Sequence, residues 1–408
     1  MISKIILENF FSFREPTSIE LNPDVNILLG INGSGKSNFL KAIQLLYESI
    51  IGNGLEEVFL KKWSGFNTVA NFNDDGKDYI KLSFEFDKDA IKKITSQEGY
   101  QFPTNPTYEI EISKLGQTSY YLKEKLSAPS IREGESDFIF MEMDNGRGII
   151  STREEGKVGI QRYPQENKKL TFKSTEPVLR QISEPERFYP HFTLKRALEE
   201  ASIYYYFNTT FSSPIRQPSS YGTETKLLPD GHNLMTILNQ IKNNHPLYYE
   251  KIEEAIKKIN PHFKDINSAA FGSKLYLVLR EKSLAKTVSI EQISEGTLSY
   301  LLLLSILFNP ERGNLICIEE PETNLHPDMI NTIANAIKQA SKDTQIIITT
   351  HSPLLLNLFE IEDVLIFEKS DRNETEVKIK SSDEFDEWMD DFLVGQAWLQ
   401  GLIGGKRW

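Results

Sequence analysis

A glycine-rich turn set between a buried strand and a helix constrains a fold more than any other short segment, and residues Gly30-Ile31-Asn32-Gly33-Ser34-Gly35-Lys36-Ser37 form one. They match the pattern G-x-x-x-x-G-K-[ST] in full. Ile27-Leu28-Leu29 leads in as an apolar run that reads as a buried strand. Phe39, Leu40, Ile43, Leu46, Tyr47 and Ile50 follow at helical spacing, and Gly52 and Gly54 stop that helix. Backbone N–H groups at such a helix start converge on an anion. The glycines let the backbone approach phosphate oxygens closely. Lys36 can reach the outer phosphates of a nucleotide, and the Ser37 hydroxyl can hold Mg²⁺.

With 408 residues, the chain has room for two or three domains. A net charge of −12 argues against a generally basic coat for nucleic acid, though a local basic groove is compatible with it. The single cysteine, Cys317, excludes a disulfide framework within the chain and fits a reducing cytosol. Met1 to Glu8 lacks the apolar core and cleavage site of a signal peptide. The most apolar later run, Leu298 to Phe308, is too short to span a bilayer and reads as a buried helix. These features predict a cytoplasmic protein with no membrane partner.

Between the phosphate loop and a second cluster of motifs lies a long region, from about Lys88 to Ile290. Ile80, Leu82, Phe84 and Phe86 alternate with polar residues, as do Tyr108, Ile110 and Ile112, so strands are expected there. Asp144-Asn145-Gly146 reads as a hairpin turn. Gly146 to Lys169 is rich in glycine and charge and reads as a mobile loop. Helical patterns run over about Thr193 to Glu200, Asn233 to Lys242 and Pro246 to Ile259. No heptad pattern persists over several turns, so a long coiled coil is not expected.

Leu315-Ile316-Cys317-Ile318-Glu319-Glu320 is an apolar run ending in two carboxylates. At the tip of a buried parallel strand, Glu319 could orient Mg²⁺ and Glu320 could polarise an attacking water as general base. The alternative is a solvated acidic turn, and the Pro321-Glu322-Thr323-Asn324-Leu325-His326-Pro327 that follows favours the functional reading. A helix bearing Ile330, Ile333, Ile337 and Ala340 then leads to the strand Gln345 to Thr350. His351 stands at its end, suited to a γ-phosphate or to the attacking water. Ser294 can cap the helix that begins near Glu295-Gly296-Thr297, which makes a second anion-binding helix start. Two such starts suggest a nucleotide clamped between two subunits.

Taken in order, Gly30 to Asn38, Ser294 to Thr297, Ile318 to Glu322, Leu325 to Pro327 and Thr350 to Ser352 resemble the motifs of the ABC-type ATPase heads of the SMC, RecF and OLD-nuclease group. Leu7-Glu8-Asn9-Phe10-Phe11-Ser12-Phe13 resembles that group's opening strand. Tyr204 to Thr210, Pro214 to Pro218, Leu228 to Leu234 and the tail Trp398 to Trp408 are similar to its stand-alone bacterial ATPases. The resemblance implies an α/β fold: an ABC-type head, a P-loop NTPase with a mixed sheet flanked by helices and an inserted α+β region. The expected divisions are an N-terminal lobe over 1–87, an inserted region with a helical arm over 88–290, a C-terminal lobe over 291–369 and a tail over 370–408. ATP and Mg²⁺ are the implied ligands. Gly30, Ile31, Asn32, Gly33, Ser34, Gly35, Lys36, Ser37 and Asn38 would bind nucleotide, with Ser294, Glu295, Gly296 and Thr297 of a second subunit facing them. Ser37 and Glu319 would hold the metal, and Glu320, Lys36 and His351 would be catalytic. The chain departs from the group at the signature, Ser-Glu-Gly-Thr in place of Ser-Gly-Gly-Gln, and at Glu319, where an Asp is usual. Asn67 and Asn71 are the candidates for the group's metal-sensing Gln.

The leading expectation is an ATP-hydrolysing homodimer that drives or gates a separate effector, a nuclease or toxin, in anti-phage defence or DNA metabolism. After Ser352 only about 55 residues remain and no Asp-x-Asp occurs among them, so a Toprim nuclease domain in this chain is not expected. Asp383, Asp386, Asp390 and Asp391 read as a solvated helix face. One alternative is a nucleotide-dependent sensor or scaffold with little turnover. Another is a RecF-like repair factor that binds nucleic acid through Lys92, Lys93, Lys168, Lys169, Lys195 and Arg196.

Overall fold

The computed structural model describes residues 1–72, 76–95, 99–116, 119–132, 134–154, 157–164, 171–220, 222–271, 274–381 and 392–405. The chain forms two compact units. One comprises Met1–Pro23, Ile31–Ala201 and Phe367–Lys378; the other comprises Asp24–Gly30, Ser202–Ile366 and Ile379–Trp408.

The first unit is built on an eight-stranded antiparallel sheet. Its spatial order is Thr17–Glu20, Ile2–Glu8, Tyr79–Phe86, Thr107–Leu115, Ser119–Ala128, Phe138–Asp144, Arg147–Glu154 and Lys157–Tyr163. Period-two alternation puts Ile80, Leu82, Phe84 and Phe86 in the core, and Tyr108, Ile110 and Ile112 follow the same rule. Asn145 and Gly146 both have positive φ, 51° and 73°, as a two-residue hairpin between Asp144 and Arg147 requires. Beyond that turn the expected mobile loop, Gly146 to Lys169, is over its described residues instead a pair of strands, Arg147–Glu154 and Lys157–Tyr163, in antiparallel register, while 155–156 and 165–169 lie outside the described residues. The composition was misleading because the last strand is a sheet edge with solvated residues, where glycine and charge are tolerated.

Glu124 lies fully buried in this unit. It accepts from the Tyr108 hydroxyl at 2.7 Å and from Val178 N–H at 2.9 and 3.0 Å. Burial lifts its pKa to about 7 against the opposing pull of those hydrogen bonds.

The second unit carries the parallel sheet. Leu315–Glu319, Gln345–Thr350, Val25–Leu29 and Val364–Lys369 lie side by side in that order, all parallel, with Ala201–Tyr204 beyond the first. Both faces are covered, so these strands read as unbroken apolar runs rather than alternating ones. The helix Glu295–Leu307 is buried at every position from Leu298 to Leu307. Pro327–Ala340 turns Ile330, Ile333, Ile337 and Ala340 to the core. Leu234–Asn244 and Pro246–Ile259 fall where the sequence predicts helices, as does Tyr189–Glu199 in the first unit. Among the described residues, no helix is long and apolar enough to cross a membrane. The expected acidic helix face at Asp383 to Asp391 lies outside the described residues.

Candidate nucleotide site

Parallel strands deliver their C-terminal tips to one edge of a sheet, and three of those tips carry the candidate residues. Glu319 pairs in register with Thr349, and Thr350 with Leu29. The tip of Leu315–Glu319 therefore continues into Glu320, the tip of Gln345–Thr350 into His351, and the tip of Val25–Leu29 into Gly30.

Glu320 sits in the left-handed region at φ 44°, a conformation that costs a non-glycine residue about 1–3 kcal/mol. Its backbone N–H is held by Thr349 O and Thr349 Oγ1, both at 3.1 Å. Its carboxylate accepts from Thr323 Oγ1 at 3.2 Å through Oε2, and His351 Nε2 stands 3.5 Å from Oε1. The Glu320 side chain keeps 42% exposure and that of His351 29%, so both reach solvent.

Behind them lies Glu322. Its Oε1 accepts from Thr350 Oγ1 and from His351 N–H at 3.0 Å, while Ser352 N–H donates to Thr350 Oγ1 at 3.0 Å. Oε2 is buried with no hydrogen-bond partner. Burial pushes the pKa of Glu322 up, opposed by the Thr350 hydrogen bond and by backbone donors. This carboxyl ties the turn after Glu320 to the backbone of His351.

The phosphate loop has its own bracing. Gly33 and Gly35 take φ of 79° and 113°, which a side-chain-bearing residue would resist. A Cβ at Gly35 would also fall 2.2 Å from Thr375 Oγ1. Thr375 Oγ1 lies 2.7 Å from both Ser34 O and Ser12 Oγ. A carbonyl can only accept, so the threonine proton goes to Ser34 O and the Ser12 hydroxyl donates back. Asn38 Nδ2 donates to the same Ser12 oxygen at 2.9 Å. Lys36 is 6% exposed and folds over the loop, donating to Ile31 O at 3.1 Å. Asn32, Gly33 and Ser37 are exposed.

These residues fit a magnesium-bound triphosphate. Within the loop, Ser34 Oγ is buried without a partner, the space beside Gly33 is open, and the Lys36 ammonium and Ser37 hydroxyl are donor types that a phosphate and its metal need.

Ser294 caps the helix Glu295–Leu307, accepting from Thr297 N–H at 3.2 Å and bonding Thr297 Oγ1 at 2.8 Å. Ser294 and Glu295 are exposed. Gly296 meets the turn that follows Glu320: a Cβ there would lie 2.6 Å from Asn324 O.

The family described as "AAA domain, putative AbiEii toxin, Type IV TA system" matches residues 25–357. The chain belongs to this family. Retron Ec83 probable ATPase of Escherichia coli is 23% identical over 409 residues, spanning 91% of this chain and 72% of that protein. ATP/GTP phosphatase of Helicobacter pylori is 22% identical over 399 residues, 94% of each chain. Among solved structures, an SMC head bound to the C-winged helix domain of ScpA matches with a TM-score of 0.56 at 13% identity, over 94% of this chain and 99% of that one. The fold is thus the α/β head fold of SMC and ABC-type ATPases, as the motifs implied.

Within this AAA family member, the motifs alone left several participants unidentified. Glu322 appeared only as part of a proline turn, and Thr375 lies 341 residues from the carbonyl it holds. The Asn71 side-chain amide, a candidate sensor, donates to Phe11 O at 2.7 Å, and its N–H goes to Asn9 Oδ1 at 3.0 Å. Asn67 lines a cavity of about 300 Å³ with Asn9, Arg14 and Lys77. Of the basic candidates, Lys195 is committed to the carbonyls of Arg180 and Ile182 at 3.1 and 3.2 Å. Lys168, Lys169 and the tail end Lys406 to Trp408 lie outside the described residues.

Proposed function

We propose that this chain binds and hydrolyses ATP, pairs with a second copy around the nucleotide, and uses that cycle to drive or gate a separate effector protein. The observation that carries the reading is the Glu320 carboxylate. It is partly exposed at a parallel-sheet tip, oriented by Thr323 and His351, and held in a costly backbone conformation.

In this reading Gly30 to Asn38 cradle the phosphates and Lys36 offsets their charge. When bound, Mg²⁺ would lower the charge on the phosphate oxygens, with Ser37 and Glu319 as its protein ligands. Glu320 accepts a proton from water as the oxygen attacks the γ-phosphorus. The bond from that phosphorus to the bridging oxygen breaks, giving ADP and phosphate. His351 holds the carboxylate from the neighbouring tip, and Glu322 fixes the His351 backbone. The exposed Ser294 and Glu295 suit the signature of one copy to the phosphates held by another. The names of relatives in retrons and in a toxin–antitoxin family support an effector partner, a nuclease or toxin, in anti-phage defence.

Glu320→Gln keeps the shape and removes the base. Turnover should fall about 10²–10⁴-fold with MgATP affinity kept, and ATP-dependent pairing should persist longer. Equal turnover by wild type and variant would sink the assignment of Glu320.

A further inference from the structure

Arg216 is 4% exposed and forms no ion pair among the described residues. A guanidinium buried without an acid must find carbonyls, and the Nε and Nη1 donors of this one do. Nε donates to Thr209 O at 3.0 Å. Nη1 donates to Ile290 O at 2.6 Å and Ile293 O at 2.9 Å, with Glu291 O at 3.3 Å.

The acceptors belong to two places. Ile290–Gln292 is the 3₁₀ turn that delivers the chain to Ser294, the cap of the signature helix, and its last carbonyls favour a cation. Thr209 closes the aromatic segment that follows Tyr204. Tyr205, Tyr206 and Phe207 of that segment share a small cavity with Glu319, Glu320 and Asn324. One rigid fork therefore holds both the approach to the signature and the segment against the acidic turn. A lysine is a point charge on a flexible stem and cannot span both.

We propose that Arg216 is a positioning residue. It fixes Ser294–Thr297 relative to the Glu319–Asn324 turn, so that the helix start is presented in one orientation to nucleotide held by a second copy. This rests on the ATP-dependent pairing argued above, whose failure would show in the wild type alone.

The test compares wild type, Arg216→Lys, Ser294→Ala and the double variant, using full-length protein with MgATP. Arg216→Lys should bind MgATP within about twofold of wild type, while ATP-dependent pairing and kcat each fall about tenfold or more. Since both changes act on the signature, the double variant should lose no more than the worse single one. Ser213 Oγ accepts from Ile215 N–H at 3.2 Å and anchors the short turn that carries Arg216. Ser213→Ala should therefore shift pairing and kcat in the same direction by less, and it carries the test if Arg216→Lys does not fold.

A lowered Tm with pairing and kcat unchanged per folded molecule would overturn the positioning role, and so would losses that multiply in the double variant. If wild type neither pairs nor hydrolyses, the function itself fails. If wild type does both and the variants match it, the positioning role alone fails.

Discussion

Gly296→Ala sets two effects of known size against each other. Alanine favours a helix over glycine by about 1 kcal/mol in the interior and by less in the first turn, where Gly296 stands. Against this, the new Cβ would lie 2.6 Å from Asn324 O, a separation at which something must move. The obstacle is backbone, not the end of a flexible side chain. Its turn is fixed by Thr323 N–H on Glu320 O and Leu325 N–H on Glu322 O, both at 3.0 Å, and Asn324 is already left-handed at φ 65°. Overpacking of this kind costs about 1–3 kcal/mol, so it should outweigh the helix gain by about 1–2 kcal/mol. For a unit of this size that is a fall in Tm of about 2–8 °C by calorimetry or circular dichroism. The displaced turn begins at Glu320, so turnover should fall at least about tenfold, since a 1 Å misplacement can cost 10²-fold. MgATP affinity should stay near wild type. A raised Tm with unchanged turnover would mean that the helix term dominates and that the signature does not press on the acidic turn as argued.

Thr375→Val removes the donor to Ser34 O while keeping the shape. An unsatisfied buried carbonyl costs about 1–3 kcal/mol, which should appear as a fall in Tm of about 2–12 °C by calorimetry; an unchanged Tm refutes the brace. Glu124→Gln tests the buried carboxyl of the first unit. With its folded pKa raised from 4.5 to about 7, the native state keeps its proton where the unfolded chain has lost it. Stability from this group is complete below about pH 4.5 and is lost as pH rises towards 7, about 3 kcal/mol in all. Between pH 5 and 8 the fall in urea midpoint with rising pH should be shallower in Glu124→Gln than in wild type, and parallel curves would refute the assignment.

Local chemistry made much of this molecule legible. Each element of the nucleotide motifs announces itself within a few residues: glycines before a lysine, an apolar run ending in carboxylates, a serine before a buried helix. Tertiary chemistry was hidden for the opposite reason. Thr375 holds the phosphate loop from a strand hundreds of residues away, and nothing local marks one threonine among its neighbours. Gly296 reads as a permissive helix start, yet a carbonyl from the Asn324 turn is what excludes a side chain there. The misread stretch after Gly146 shows the limit of composition. A solvated edge strand can be as polar as a loop, and only the pairing of Ser151 with Ile160 and Arg153 with Val158 distinguishes it.

The backbone at Glu320 links stability to chemistry. A glycine would take φ 44° without the steric cost that glutamate bears, and an asparagine would take it at a smaller one. The structure spends hydrogen bonds from Thr349 on the backbone and Thr323 on the carboxylate to keep a glutamate in that conformation. A purely structural turn has no use for a partly exposed carboxylate held this way. Glu322, by contrast, is the more buried acid and takes its hydrogen bonds from Thr350 and the His351 backbone. Two acids one proline apart thus divide the work: under the proposed mechanism the strained, exposed one would face the reaction, while the buried one braces the neighbouring tip that carries His351.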